Sequence, residues 1–261
     1  MTIPPDGRPM ESVQSLQRGL AVIRAFDADH PRMTLAEVAR QTDLTRATAR
    51  RFLHTLVTLG YTATDGREFW LCPRVLELGY AYLSASSLPE IATPHLKTFT
   101  DKVNESSSVS VLDGPDIVYV ARVPTRRIMA VAISVGTRFP AYATSMGRVL
   151  LASLPEDELD DALEASTLAK LTPHTTTSRS ALKRELDKVR RQGWALNEQE
   201  LELGLRSIAA PVRDPRGRTI AAANVSMSAN TTTVDEARER LLPALLDAAA
   251  QIERDLRVSA P

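Results

Sequence analysis

With 261 residues, 43% of them hydrophobic, the chain is long enough for about two domains at the usual ~100 to 200 residues each. Its 32 basic and 32 acidic residues cancel to a formal net charge of zero, so an electrostatic partner must be read from local clusters. The single cysteine, Cys72, excludes an internal disulfide framework and a cysteine-rich metal site. The proline-rich residues 1–10 hold no apolar core for a signal peptide, and no stretch approaches the ~18 continuous apolar residues of a membrane span. These features predict a soluble cytoplasmic protein.

Residues 1–11 read as a disordered N-terminus. Val13, Leu16, Leu20, Ile23 and Phe26 then recur at three- and four-residue spacing and predict a first helix with a buried stripe. Thr34 with Glu37 fits a capping box, and Leu35, Val38 and Ala39 give the following helix an inward face. Thr42-Asp43-Leu44 is a short polar turn. Thr45 can cap a further helix whose Ala49, Leu53 and Leu56 face inward, while Arg46, Thr48 and Arg50 stay free, and Gly60 ends the pattern. Tyr61–Thr64 and Arg67–Leu71 flank Asp65-Gly66, a pair suited to a type I′ hairpin turn, with Cys72 packed in the second strand. Helix, turn, helix and hairpin compose a winged helix over 12–73. From Met1 to Arg74 there are ten arginines, no lysine and eight acids, a net of +2. So mild an excess predicts modest affinity per module and hence a second copy on the same DNA. The helix start presents Arg46, Thr48 and Arg50 to bases, Arg51 packs or touches phosphate, and Arg67 reaches out from the wing.

Val75, Leu76, Leu78, Tyr80, Tyr82 and Leu83 predict an apolar linker helix over 74–87, broken by the segment from Ser84 to Pro89. So apolar a helix packs either against a second copy or on its own chain. Beyond it, residues 88–258 read as an α+β domain. Leu96, Phe99 and Val103 mark a helix. Val109–Leu112, Ile117–Ala121 and Met129–Ile133 read as strands of a meander. Helices follow over Ser145–Ser153, Glu156–Glu164 and Arg179–Gln192, the last ended by Gly193. Ile208–Val212 and Thr219–Met227 are strands, and Val234–Val258 is a closing amphipathic helix. The expected whole is a central antiparallel sheet with helices on its faces.

The segments TRATARRFLHTLVTLGY, YATSMGRVLLA and QELELGLRSIAAPVRDPRGRTIAAANVS resemble, in order and spacing, the IclR family of bacterial transcriptional regulators across nearly the whole chain. More narrowly, RIMAVAISVGTRFPAYATSMGRVLLA with ELGLRSIAAPVRD resembles the PcaR/PcaU/PobR branch, which controls aromatic acid catabolism through the β-ketoadipate pathway. The resemblance implies a winged helix, a linker helix and a GAF-like effector domain, assembled as homodimers or dimers of dimers on palindromic operators in double-stranded DNA. It implies DNA contacts from Thr45, Arg46, Thr48, Arg50, Arg51 and Arg67. A small carboxylate effector would be lined by Ser145 and Met146, by Asn197, Leu205 and Ser207, by Asn224 and Ser226, and by Ile128 and Val131 as apolar wall. Other members carry Asp and Ser where Asn197 and Asn224 stand, which implies a hydrogen-bond pattern unlike that of glyoxylate-type regulators. An IclR-type regulator answering to a non-aromatic acid is the alternative reading. The branch favours activation, which would add RNA polymerase as a partner.

A helix N-terminus with nearby hydroxyls and amides suits a carboxylate on physical grounds. Each residue also has a bland role open to it: Ser145 capping its helix, Ser207 and Ser226 serving neighbouring backbone, Met146 filling core. Arg206 reads as a structural ion-pair partner and His174 as a solvated loop residue. No His/Asp/Glu spacing suggests a metal site, and no cofactor is expected. An enzyme is disfavoured, since the chain holds no G-x-S-x-G elbow, P-loop or G-x-G-x-x-G, and nothing nominates a base for Ser145. A winged helix used only for protein contacts would leave promoter binding unchanged when Arg46 and Arg50 are replaced.

Overall fold

The computed structural model describes residues 12–84, 87–125 and 133–259. The chain divides into two compact units, Met1–Ala85 and Ser86–Pro261. The first runs α1 (Gln14–Arg24), β1 (Met33–Thr34), α2 (Leu35–Gln41), α3 (Arg46–Thr58), β2 (Thr62–Thr64) and β3 (Glu68–Leu71), then a 3₁₀ turn (Pro73–Val75) and α4 (Leu76–Ser84). A capping box starts α2: the Thr34 hydroxyl accepts from the Glu37 N–H at 3.4 Å, and the Glu37 carboxylate accepts from the Thr34 N–H at 2.8 Å. Asp43, at φ 52°, turns the chain toward α3. Thr45 caps α3, accepting from the Thr48 N–H at 3.2 Å, and Gly60 beyond its end takes φ 78°. Val22, Phe26, Val38, Leu53, Leu56 and Phe69 close a small core beneath the helices and the three-stranded sheet β1-β3-β2.

Three expectations for this unit need correction. The stripe on α1 is not buried as a whole: Phe26 reaches the core and Ile23 packs against it, whereas Leu16 remains 63% exposed and Val13 and Leu20 are open as well. Helical spacing identifies an apolar face but not what covers it. The wing turn is not type I′, because of Asp65 and Gly66 only the glycine has positive φ (92°). Instead the Asp65 carboxylate accepts from the N–H groups of Arg67 and Glu68 at 2.9 and 2.8 Å, the local side-chain capture that aspartate makes in turns. Cys72 lies just past β3, half-buried, its N–H donating to the Tyr61 carbonyl at 2.8 Å. In α4, Leu76, Leu78, Tyr80 and Tyr82 are all exposed, Tyr80 by 70%.

The second unit comprises α5 (Leu88–Val103), β4 (Ser106–Asp113), β5 (Asp116–Val123), β6 (Arg138–Pro140), a 3₁₀ turn (Ala141–Ala143), α6 (Ser145–Ala152), α7 (Glu156–Glu164), α8 (Arg179–Gln192), β7 (Ala195–Glu198), β8 (Leu205–Arg213) and β9 (Thr219–Ser228). It closes with α9 (Val234–Glu236), a π-helical turn (Ala237–Leu241) and α10 (Leu242–Ser259). The segment from Ser84 to Pro89 breaks the helix for less long than expected. α5 already begins at Leu88, with Pro89 in the first turn, where a missing N–H costs no helical bond.

The sheet is antiparallel throughout, in the order β6-β5-β4-β9-β8-β7. One face packs Val109, Ile208, Ala210 and Val225 against α5 and α10. The other packs Ile117, Tyr119 and Ala209 against α6 and α8. The chain is thus α+β, with a winged helix-turn-helix followed by a sheet domain covered on both faces. The strand expected over Met129–Ile133 lies, save Ile133, outside the described residues, and the third strand of the meander is β6. Among the described residues, no helix is long and apolar enough to cross a membrane.

Two local features shape the α6 face. A Cβ on Gly147 would lie 2.1 Å from the Ala141 carbonyl oxygen, so only glycine lets α6 settle against the 3₁₀ turn. A register shift between Val109 and Ser110 pairs Ser108 with Arg122 but Ser110 with Tyr119. Simple alternation would put residues 119 and 122 on opposite faces; this bulge brings both to the α6 side.

Candidate DNA-binding and effector-binding surfaces

In the first unit, Thr45, Arg46, Arg50 and Arg51 are exposed along α3, and Thr48 is half-buried with its N–H on the Thr45 hydroxyl. The first turn of α3 carries no acid, and Arg46 occupies its first position. A cation there works against the helix dipole, so its presence is not explained by helix stability. Arg51 borders a groove of about 250 Å³ with Ser15, Arg18, Thr48, Phe52 and Thr55. Arg67 is exposed at the tip of the wing.

Two residues join this surface that sequence reasoning passed over. Arg32 stacks on Trp70, its Cζ 4.1 Å from the ring centroid, because β1 pairs with β3 beside it. His54 lies one turn beyond Arg50, its Nε2 3.4 Å from Arg50 Nε and its ring edge-on to Phe69. The i, i+4 spacing of Arg50 and His54 could have revealed the second. The first depends on a two-residue strand too short to leave a pattern.

In the second unit, register gathers the expected residues on the α6 face. Asn197, Ser207, Ser226 and Ser106 lie opposite one another across four strands, and Ala209, Asn224, Ser108 and Arg122 form the next row. Thr144, not Ser145, caps α6, accepting from the Gly147 N–H at 3.0 Å. This leaves the Ser145 hydroxyl to bond that of Ser207 at 2.8 Å. Met146 is buried, its sulfur 3.2 Å from the Ser110 hydroxyl, and Leu205 lies two residues along β8 from Ser207. Ile128 and Val131 lie outside the described residues.

The polar groups here differ in how fully they are used. Asn197 is spent within the protein: its amide donates to the Ala143 carbonyl at 3.0 Å, and its oxygen accepts from the Glu200 N–H at 3.4 Å. Asn224, 3% exposed, donates to the Ser226 hydroxyl at 3.1 Å, but among the described residues its Oδ1 has no partner. Arg122 reaches the Ser108 hydroxyl at 3.4 Å through Nη1, while its buried Nε has no partner among the described residues. Burial pushes the Arg122 pKa down and that of neighbouring Tyr119 up to about 12, so the phenol stays neutral. Sequence reasoning missed Arg122 because only the bulge brings it to this face. Arg206 instead pairs with Glu198, with one hydrogen bond at 2.8 Å, and that contact holds the Glu198 carboxyl below its ordinary range. Among the described residues no group of three His, Cys, Asp or Glu could hold a metal ion.

Residues 15–66 match the IclR helix-turn-helix domain, and residues 80–254 match the bacterial transcriptional regulator IclR C-terminal domain. The chain belongs to the IclR family. Similar proteins include a Pca regulon regulatory protein of Pseudomonas putida, 44% identical over 239 residues that cover 91% of this chain and 82% of the relative. A p-hydroxybenzoate hydroxylase transcriptional activator of Acinetobacter baylyi is 36% identical over 250 residues, covering 94% and 92%. An IclR homolog from Microbacterium hydrocarbonoxydans, solved in complex with 4-hydroxybenzoate, superposes with a TM-score of 0.81 at 26% identity, covering 94% of this chain and 100% of that one. These relatives support the PcaR/PobR branch within the IclR family. The winged helix is accordingly the DNA-binding module of a transcriptional regulator, and the sheet domain is its effector-binding module.

Proposed function

We propose that this IclR-family regulator controls an operon for aromatic acid catabolism by sensing a small aromatic carboxylic acid in the sheet domain. The supporting observation is the α6 face itself: hydroxyls, an amide and a half-buried guanidinium set beside the apolar side chains of Tyr119, Met146 and Ile117, polar groups for a carboxylate next to apolar ones for a ring. The relatives named for the Pca regulon and for p-hydroxybenzoate hydroxylase, and the 4-hydroxybenzoate complex, support the same class. In the DNA part, Arg46, Thr48 and Arg50 read base edges in the major groove, Thr45 and Arg51 approach phosphates, and Arg67 with Arg32 follows the backbone from the wing.

The regulator acts in the cytoplasm as a homodimer or dimer of dimers on a palindromic operator. Two features support self-association: the exposed apolar residues of α4, and a groove of about 340 Å³ lined by Leu16, Leu20, Ile23, Phe52 and Leu59. The acid shifts the population between dimer geometries by binding them unequally, and an activating arrangement brings RNA polymerase to the promoter.

A thermal-shift series tests the sensing part. The effector at 100 times its Kd adds about 2.7 kcal/mol to the folded state. That raises the melting temperature by roughly 5–10 °C at the ~2–4 °C per kcal/mol of a domain this size. Protocatechuate or 4-hydroxybenzoate is expected to give that shift. A shift confined to glyoxylate or pyruvate would overturn the aromatic reading.

A further inference from the structure

Among the described residues, two buried polar atoms on the α6 face have no hydrogen-bond partner, Arg122 Nε and Asn224 Oδ1. Both residues flank Ser108, which is in register with Arg122 on one side and with Asn224 on the other. Their backbones therefore stand about two strand spacings, ~9.5 Å, apart on one side of the sheet. The Arg122 guanidinium leans inward, its Nη1 on the Ser108 hydroxyl at 3.4 Å. An orphaned buried donor and an orphaned buried acceptor each cost free energy, and a cation without an anion costs most. No carboxylate pairs with Arg122 among the described residues, and burial depresses its pKa, as expected of a half-buried cation without a counter-charge.

The two unpaired atoms have opposite character. Arg122 offers an N–H on a positive charge, and Asn224 offers a neutral carbonyl oxygen that accepts only from a donor. A molecule that satisfies both carries an anionic oxygen at one point and a hydroxyl at another. We infer that Arg122 binds the effector's carboxylate and that Asn224 Oδ1 accepts from its ring hydroxyl, which makes the site selective for hydroxylated aromatic acids. Unsubstituted benzoate leaves the Asn224 oxygen buried and empty. A dicarboxylate such as β-ketoadipate brings a second anionic acceptor against it. The inference rests on the aromatic reading above and assigns its two polar contacts.

Calorimetric titration of the full-length protein with 4-hydroxybenzoate, benzoate and 4-hydroxybenzamide tests it. In the wild type, benzoate should bind at least ~10-fold and the amide at least ~100-fold more weakly than 4-hydroxybenzoate. In Arg122→Gln the gap between acid and amide should collapse. In Asn224→Ala the gap between hydroxylated and plain benzoate should collapse while the acid–amide gap persists. A residue that merely holds the fold would weaken all three ligands alike. Arg122→Met, which removes the charge and keeps an unbranched side chain, serves if Arg122→Gln does not fold. Benzoate binding the wild type as tightly as 4-hydroxybenzoate, or gaps unchanged in the variants, would overturn the assignment and leave the aromatic reading standing. Failure of every ring acid alongside binding of glyoxylate would bring down the aromatic reading and this assignment with it.

Discussion

Replacing Glu200 by alanine is expected to destabilise the effector-binding domain by about 3–5 kcal/mol, because it strands a charge rather than removing a surface ion pair. Arg148, on α6, is 3% exposed and meets Glu200 through two contacts of 2.7 Å, Nη1 to Oε1 and Nη2 to Oε2. Its Nε donates to the Tyr142 carbonyl at 3.1 Å. Glu200 also accepts from the Thr176 N–H at 2.8 Å through its carboxylate and from the Thr175 hydroxyl at 2.6 Å through its backbone carbonyl. The pair thus fastens the helix that carries Ser145 and Met146 to the loop following β7. Without the carboxylate, the Arg148 guanidinium stays buried with one backbone acceptor. Urea denaturation followed by circular dichroism measures the loss. The exposed pair Lys188–Glu185, at 3.4 Å, is the contrast, and its removal should change stability by less than ~1 kcal/mol. Equal effects at the two sites would contradict the account of the buried pair.

The second large effect belongs to DNA. Arg46→Ala with Arg50→Ala is expected to weaken operator binding by at least ~100-fold, since a good bidentate base contact is worth about 1–3 kcal/mol and a dimer loses two per head. Both side chains are exposed, and Arg50 makes a long contact to His54 at 3.4 Å, so the melting temperature should hardly move. Loss of phosphate contacts would also flatten the dependence of affinity on salt, and loss of base contacts would narrow the gap between operator and random DNA. Fluorescence anisotropy on both DNAs at two salt concentrations separates the two. Unchanged operator affinity would mean that α3 serves a protein contact instead.

What could be read from the sequence was local. Thr34 with Glu37 and Thr45 with Thr48 announce helix starts because a cap lies within one turn of what it caps. Gly60 and Gly193 announce helix ends because each takes the left-handed conformation that glycine adopts without strain, at φ 78° and 81°. The resemblance to the IclR family placed Ser145, Ser207, Asn224 and Ser226; register brings the last three to one face, where Ser145 of α6 meets Ser207.

What the sequence withheld was long-range. The α1 stripe has helical spacing whether its cover is this chain or another, so Leu16 and Leu20 look like core and remain exposed. β1 and β7 are too short to show a period. Arg122 sits three residues from Tyr119, and a period of two assigns them to opposite faces. Only the bulge at Val109 and Ser110, a property of strand pairing, overrides that assignment.

The most direct test of effector-gated DNA binding starts from genomic fragments retained by the purified protein. Its affinity for the strongest palindrome among them is then measured with and without saturating 4-hydroxybenzoate. The account predicts a change of about 5- to 150-fold, the range of ordinary coupling between two sites. An affinity unaltered by an acid that demonstrably binds the sheet domain would contradict it.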